Sequence, residues 1–112
     1  MFRDDRQASR AIRVLLGAMF HDVDALWTKD GPTTQALGYL KSSPLSHGEH
    51  IFLQIAFDFW NGGGGAKFVD ILGTLDREKV AVVFAFVRSY HAGGPAIDQW
   101  IAASVPPGKR FS

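Results

Sequence analysis

SHGEHIFLQIAFDFWN, residues 46–61, followed at once by Gly62, Gly63, Gly64 and Gly65, decides the fold. Ser46 and Glu49 are spaced as a capping box, in which each side chain accepts from an orphan backbone N–H at a helix start. Asn61-Gly62 offers the left-handed residue that ends a helix. Between these signals the polar positions form one thin stripe. At about 100° per residue, His47, His50, Gln54, Asp58 and Asn61 share an arc of roughly 80°. Ile51, Phe52, Leu53, Ile55, Ala56, Phe57, Phe59 and Trp60 cover most of the remainder. A helix that apolar belongs at the centre of a globule.

Working outward, the flanking segments also read as helices. Asp4 or Asp5 suits a helix N-terminus. Ala8, Ala11, Ile12, Leu15, Leu16 and Met19 then form one apolar face. Phe20 to Trp27 continues that helix or breaks into a short second one, and Asp30-Gly31-Pro32 is a turn signal. Thr33 or Thr34 caps a short helix through Leu40, with Leu37, Tyr39 and Leu40 as its buried side. Pro44 ends it by pushing the preceding residue out of helical geometry. After the glycines, Ala66 to Gly73 reads as a short helix with Phe68, Val69, Ile71 and Leu72 facing inward.

Asp76 caps a longer segment, Arg77 to about His91, closed by Gly93-Gly94. Its middle, VAVVFAFV, has strong β propensity. The distance from cap to glycine is nevertheless too long for a typical strand of about 5–6 residues, and no partner strand is evident. A helix is therefore expected. Pro95 suits the first turn of a last helix, Ala96 to about Ala103, with Ile97, Trp100 and Ile101 as its apolar face. Residues 105–112 read as a flexible tail.

The expected architecture is all-α. One domain over residues 1–104 packs five or six helices around two largely apolar ones, 46–61 and 76–91. Phe52, Phe59, Val83, Phe84 and Val87 are the expected contacts between that pair.

The 112 residues make one domain, 46% apolar and 21% charged, with a formal net charge of +1. That charge gives no global pull toward nucleic acid or membrane. Zero cysteines exclude disulfides and thiolate metal sites and fit a reducing compartment. The longest apolar run, Val80 to Val87, is far shorter than the roughly 20 residues that span a bilayer. The start, Met1-Phe2-Arg3-Asp4-Asp5, is too charged to begin a secretory signal. A cytoplasmic protein without membrane association is the expectation.

Five features bear on chemistry. The acidic loop His21, Asp22, Asp24 and Asp30 could bind a divalent cation, but its spacing fits no EF-hand, and caps and turns explain Asp22 and Asp30. His47 and His50 stand one helical turn apart, with Asp58 two turns on, and could hold a metal if a third ligand came from elsewhere. The order His-Gly-Glu-His is not the zinc-protease arrangement, and the stripe is more simply an outward helix face. The glycine run before Ala66-Lys67 lacks the spacing and the strand of a phosphate-binding loop. It reads as a helix stop and connector, so no cofactor is expected. Arg3, Arg6, Arg10 and Arg13 lie on one side of the first helix, where positive charge opposes the dipole. Such a stripe suits an acidic protein face or, with Lys109 and Arg110, nucleic-acid phosphates. Finally, the segments 66–73 and 77–91 resemble a helix–turn–helix, but the second is too apolar beyond Lys79 to read a groove.

Without a catalytic constellation, the heavy aromatic content points to protein contact or a homodimer. Trp27, Tyr39, Phe57 and Trp100 are the expected anchors, because aromatic residues dominate binding hot spots. The four arginines would steer an acidic partner. In size and make-up the chain resembles the small helical accessory, regulatory and inhibitor proteins that phages and mobile elements encode. The leading expectation is a non-enzymatic protein-binding module. Nucleic-acid binding through the arginines, and a metal-dependent enzyme using His47 and His50, are the alternatives.

Overall fold

Asp4 opens the first helix. Its side chain accepts from the Gln7 N–H at 2.9 Å, and α1 runs Asp5–Gly17. The structure, a computed structural model, describes residues 1–42 and 44–104. The expected tail, 105–112 with Lys109 and Arg110, lies outside the described residues. Ala8, Ala11, Ile12, Leu15 and Leu16 are buried, as their spacing predicts.

The segment after α1 does not continue it. One turn of 3₁₀ helix, Val23–Ala25, follows, with the Asp22 side chain accepting from Ala25 N–H. Two short antiparallel strands come next, β1 (Trp27–Thr28) and β2 (Gly31–Pro32), with Trp27 opposite Pro32 and Thr28 opposite Gly31. The tip of this small hairpin is Lys29-Asp30, and Gly31 and Pro32 of the expected turn lie in β2.

Thr33 caps α2, Thr34–Lys41. The buried residue of α2 is Ala36. Leu37 is exposed and Tyr39 and Leu40 are half-buried, so the helix is rotated from its expected orientation. The decisive stretch forms α3, His47–Asn61, with both bonds of the capping box: Ser46 N–H to Glu49 Oε1 at 2.9 Å and Glu49 N–H to Ser46 Oγ at 3.2 Å. Gly62, at φ 78°, ends the helix and donates to the Phe57 and Asp58 carbonyls. Ile51, Phe52, Leu53, Ile55, Ala56 and Phe57 are all buried.

α4 spans Phe68–Thr74. Only Ile71 is buried; Phe68, Val69 and Leu72 face solvent, opposite to the expectation. Asp76 accepts from Lys79 N–H at 2.8 Å and starts α5, Arg77–Ala92. The β-prone VAVVFAFV run is helical throughout. The last helix, α6, is Gly94–Ser104, with Ile97 and Ile101 buried. It begins two residues earlier than expected, and Pro95 sits in its first turn.

The chain is all-α, with six helices and the small hairpin among the described residues. α1 packs against both α3 and α6, α5 packs against α6, and α3 carries α2 and α4. The apolar helices α3 and α5 are therefore not side by side along their length. They meet where the Phe59 ring stands edge-on to Phe86 and Tyr90, each at 4.8 Å. Phe52 and Val83 are buried as expected, whereas Phe84 is 39% exposed. α1 fills the place expected of α5, because its single clean stripe fits a flat contact better than apolar residues spread around a helix.

Candidate functional site

Of the expected arginine stripe, Arg6, Arg10 and Arg13 are on α1 and Arg3 lies just before its cap; most of these side chains meet groups of the chain itself. Arg3 Nη2 donates to Asp98 Oδ2 at 2.8 Å, and Arg10 Nη1 lies 3.7 Å from Asp98 Oδ1. Gln7, almost fully buried, completes the cluster: its amide donates to Asp98 Oδ1 and to the Gly94 carbonyl, and its Oε1 accepts from Arg3 N–H. The Arg3 hydrogen bond, followed by that of Gln7, holds the Asp98 carboxyl below the usual carboxylate range. The same bond raises the Arg3 guanidinium. Arg13 donates to Asp24 Oδ1 at 2.6 Å and to the Trp27 carbonyl. Arg6, exposed, is the member without such a partner among the described residues. Three of the four arginines thus tie α1 and the residues before it to α6 and to the 3₁₀ turn, with two carboxylates, Asp98 and Asp24, as their partners.

The expected aromatic anchors divide into two groups. Trp27 and Phe57 are buried, 5.2 Å apart between ring centroids, and present nothing to a partner in this fold. Trp60 closes against Trp27 edge-on at 5.7 Å. Tyr39 and Trp100 are half-buried. Tyr39 Oη accepts from Gln35 Nε2 at 2.9 Å. Trp100 packs on Phe86 and lines a shallow groove of about 330 Å³ between α5 and α6, with Arg88 and Gln99 at its rim.

The polar stripe of α3 is partly structural. Asp58 accepts three backbone amides that fold back over the end of the helix: Gly64 N–H at 2.9 Å, Gly65 N–H at 2.8 Å and Ala66 N–H at 3.0 Å. Asn61 Oδ1 accepts from Gly63 N–H at 2.8 Å. The glycine run is thus a built turn whose amides already hold an anion, the Asp58 carboxylate. Gly64 is buried in that turn, and a Cβ on it would stand 1.7 Å from the Gln54 carbonyl oxygen.

His47 is exposed, and His50 Nε2 lies 3.3 Å from the Leu40 carbonyl. Both border an open hollow of about 410 Å³ with Leu40, Lys41 and Leu45. No third ligand joins them: among the described residues no three His, Asp or Glu side chains converge as a metal site.

The feature that sequence reasoning missed is the outer face of α4. Phe68 is 72% exposed, Val69 73% and Leu72 57%, on three positions of one short helix. The apolar residues there satisfy an inward or an outward reading equally, so periodicity alone carries no signal for which side meets water. No helix among the described residues is long and apolar enough to cross a membrane. No protein-family model, curated protein or solved structure matches the chain.

Proposed function

We propose that this chain is a non-enzymatic helical module that acts by binding another protein, with the outer face of α4 as its contact surface. The observation that carries the reading is the exposure of Phe68, Val69 and Leu72 together. Single exposed apolar side chains are ordinary, whereas a contiguous group marks a contact surface. The group also contains an aromatic residue, the type that anchors binding hot spots. Ile71 and Leu75 hold the helix to the globule, so the outer residues contribute little to the core and are available to a partner. The pairing of Arg3, Arg10 and Arg13 within the chain and the missing third ligand at His47 and His50 favour this reading over the nucleic-acid and metal-enzyme alternatives.

The test compares the wild-type chain with a Phe68→Asp/Leu72→Asp double variant, each immobilised and exposed to extract of the source cells. Proteins retained by the wild type should be lost by the variant, while circular dichroism and thermal melting stay unchanged. An identical retained set would refute the assignment of α4 as the contact face.

A further inference from the structure

We infer that the groove between α5 and α6 binds a small amphipathic carboxylate, an apolar chain or ring that ends in one carboxylate group. The inference stands apart from the α4 face and adds a ligand to the chain. The groove follows from side-chain size. On α5 its wall is Ala85, Ser89 and Ala92, spaced i, i+4 and i+7; on α6 it is Ala96 and Trp100, spaced i and i+4. Such spacings put each set on one helix face. Four of these five side chains are too small to fill the space between the two helices, so a trough of about 330 Å³ stays open. That volume lies within the range of small-molecule sites, about 300–1,000 Å³. Trp100 supplies the aromatic surface, with its ring held edge-on against Phe86 at 5.4 Å. A surface already fixed in place costs little to order on binding.

Charge names the head group. Arg88 is the one charged residue that lines the groove. It is exposed and has no ion pair or hydrogen bond among the described residues. The positions one turn away on α5 are Phe84, Ala85, His91 and Ala92, none of them acidic. Asp98 is the one carboxylate of α6, and it is held from α1 by Gln7 and Arg10 and from the residues before α1 by Arg3. The Ser89 hydroxyl spends its proton on the Phe86 carbonyl at 2.8 Å. The donors left at the rim are therefore the Arg88 guanidinium and the Gln99 amide, above a trough of alanines and an indole. A guanidinium matches the planar, two-oxygen shape of a carboxylate, and the trough matches an apolar body.

Other occupants fit less well. A phosphate dianion needs more donors than one guanidinium and one amide, and it gains nothing from alanine and indole walls. A partner helix needs an apolar stripe several turns long. The α5 wall runs only from Ala85 to Ala92, about two helical turns.

Octanoate is the probe, titrated into the full chain while the NMR signals of backbone amides and indoles are followed. With about 10 non-hydrogen atoms in an open site, half-saturation is expected on the order of 1 mM. Saturable shifts should gather at the Trp100 indole and at the lining residues of α5 and α6. Acetate, which lacks the apolar body, should leave them unmoved, and 1-octanol, which lacks the charge, should bind about tenfold more weakly. Arg88→Gln should weaken octanoate by a similar factor, and Ala92→Leu, which fills the trough, should abolish the shifts. Both positions are exposed, and unchanged circular dichroism would confirm the fold. No saturable shift at the lining residues up to about 20 mM, well above the expected midpoint, would overturn the inference. So would 1-octanol binding as tightly as octanoate, or octanoate binding indifferent to Arg88→Gln, since either would make the groove a purely apolar site. Lining residues that shift with protein concentration alone would assign the groove to a second copy of the chain and overturn it as well.

Discussion

Asp58 sits in the last turn of α3, where a carboxylate opposes the negative end of the helix dipole. Three backbone amides offset that penalty by donating to it from Gly64, Gly65 and Ala66. The arrangement needs the chain to pass very close to α3, and only a residue without a side chain can do so. A methyl at Gly64 would meet the Gln54 carbonyl oxygen at 1.7 Å and the Asp58 amide nitrogen at 2.8 Å. Neither atom can retreat, because both belong to helical backbone. Gly64→Ala should therefore lower stability by about 2–3 kcal/mol, at the upper end of overpacking costs. Urea denaturation measures it; a loss below about 0.5 kcal/mol, ordinary for a surface substitution, would show that the turn can open without cost. Four successive glycines look alike in sequence, so the need for one of them was not legible there. The available signal was Asp58, an acidic residue at the wrong end of a helix and hence one that needs donors.

At the scale of elements, the legible parts were those with explicit start and stop chemistry. Ser46 with Glu49, Asp76 and Gly62 placed the bounds of α3 and α5 closely, and the span from cap to glycine overrode the β propensity of VAVVFAFV. What stayed hidden was orientation. α5 is apolar on nearly every side, so nothing in its pattern separates Phe84, 39% exposed, from Phe86, fully buried. The hairpin was hidden for another reason: strands of two residues are too short to show alternation. Gly31 in β2 instead reflects a tertiary demand, since a Cβ there would approach the Trp60 ring at 2.8 Å. Phe86 is the hub of the second aromatic group, edge-on or tilted to Phe2, Phe59 and Trp100 with centroids 4.8–6.2 Å apart. Truncating it removes one side of several ring pairs and leaves a cavity. Phe86→Ala should cost about 3–5 kcal/mol, whereas Phe84→Ala should cost under about 0.5 kcal/mol, as exposed substitutions do. Thermal melts of the two variants would separate the alternatives. Comparable losses would mean that α5 is turned differently about its axis.

On the scale of the whole molecule, the first helix is tied to the last by a polar cluster rather than by apolar contact alone. Gln7 is the buried member, bridging the Gly94 carbonyl and Asp98 from one side chain. Arg3 and Arg10 close over Asp98 from outside. The spacing of the arginines was visible in sequence, but Asp98 lies 95 residues from Arg3 and 88 from Arg10, and nothing local links them. A stripe expected to face a partner is for this reason mostly an internal clasp. The clasp has a pH signature with a definite sign. The Asp98 pKa is lowered in the folded state, first by the Arg3 hydrogen bond and then by that of Gln7. A carboxylate with a depressed folded pKa contributes stability above its unfolded value of about 4, and loses it as pH falls through the folded value. The raised Arg3 pKa acts only at strongly alkaline pH and leaves the acid limb to Asp98. Both side chains are well exposed, so the contribution is small and falls with salt. Asp98→Asn keeps one acceptor oxygen and removes the charge. The wild type should be the more stable at pH 7 in low salt, and the gap should narrow steadily below about pH 4 until the two coincide once Asp98 is protonated. Urea midpoints across that range provide the measurement. A gap of constant size down to acid pH would mean that ionisation of Asp98 is not coupled to folding, and that the contact between α1 and α6 rests on Gln7 and the apolar packing beneath it.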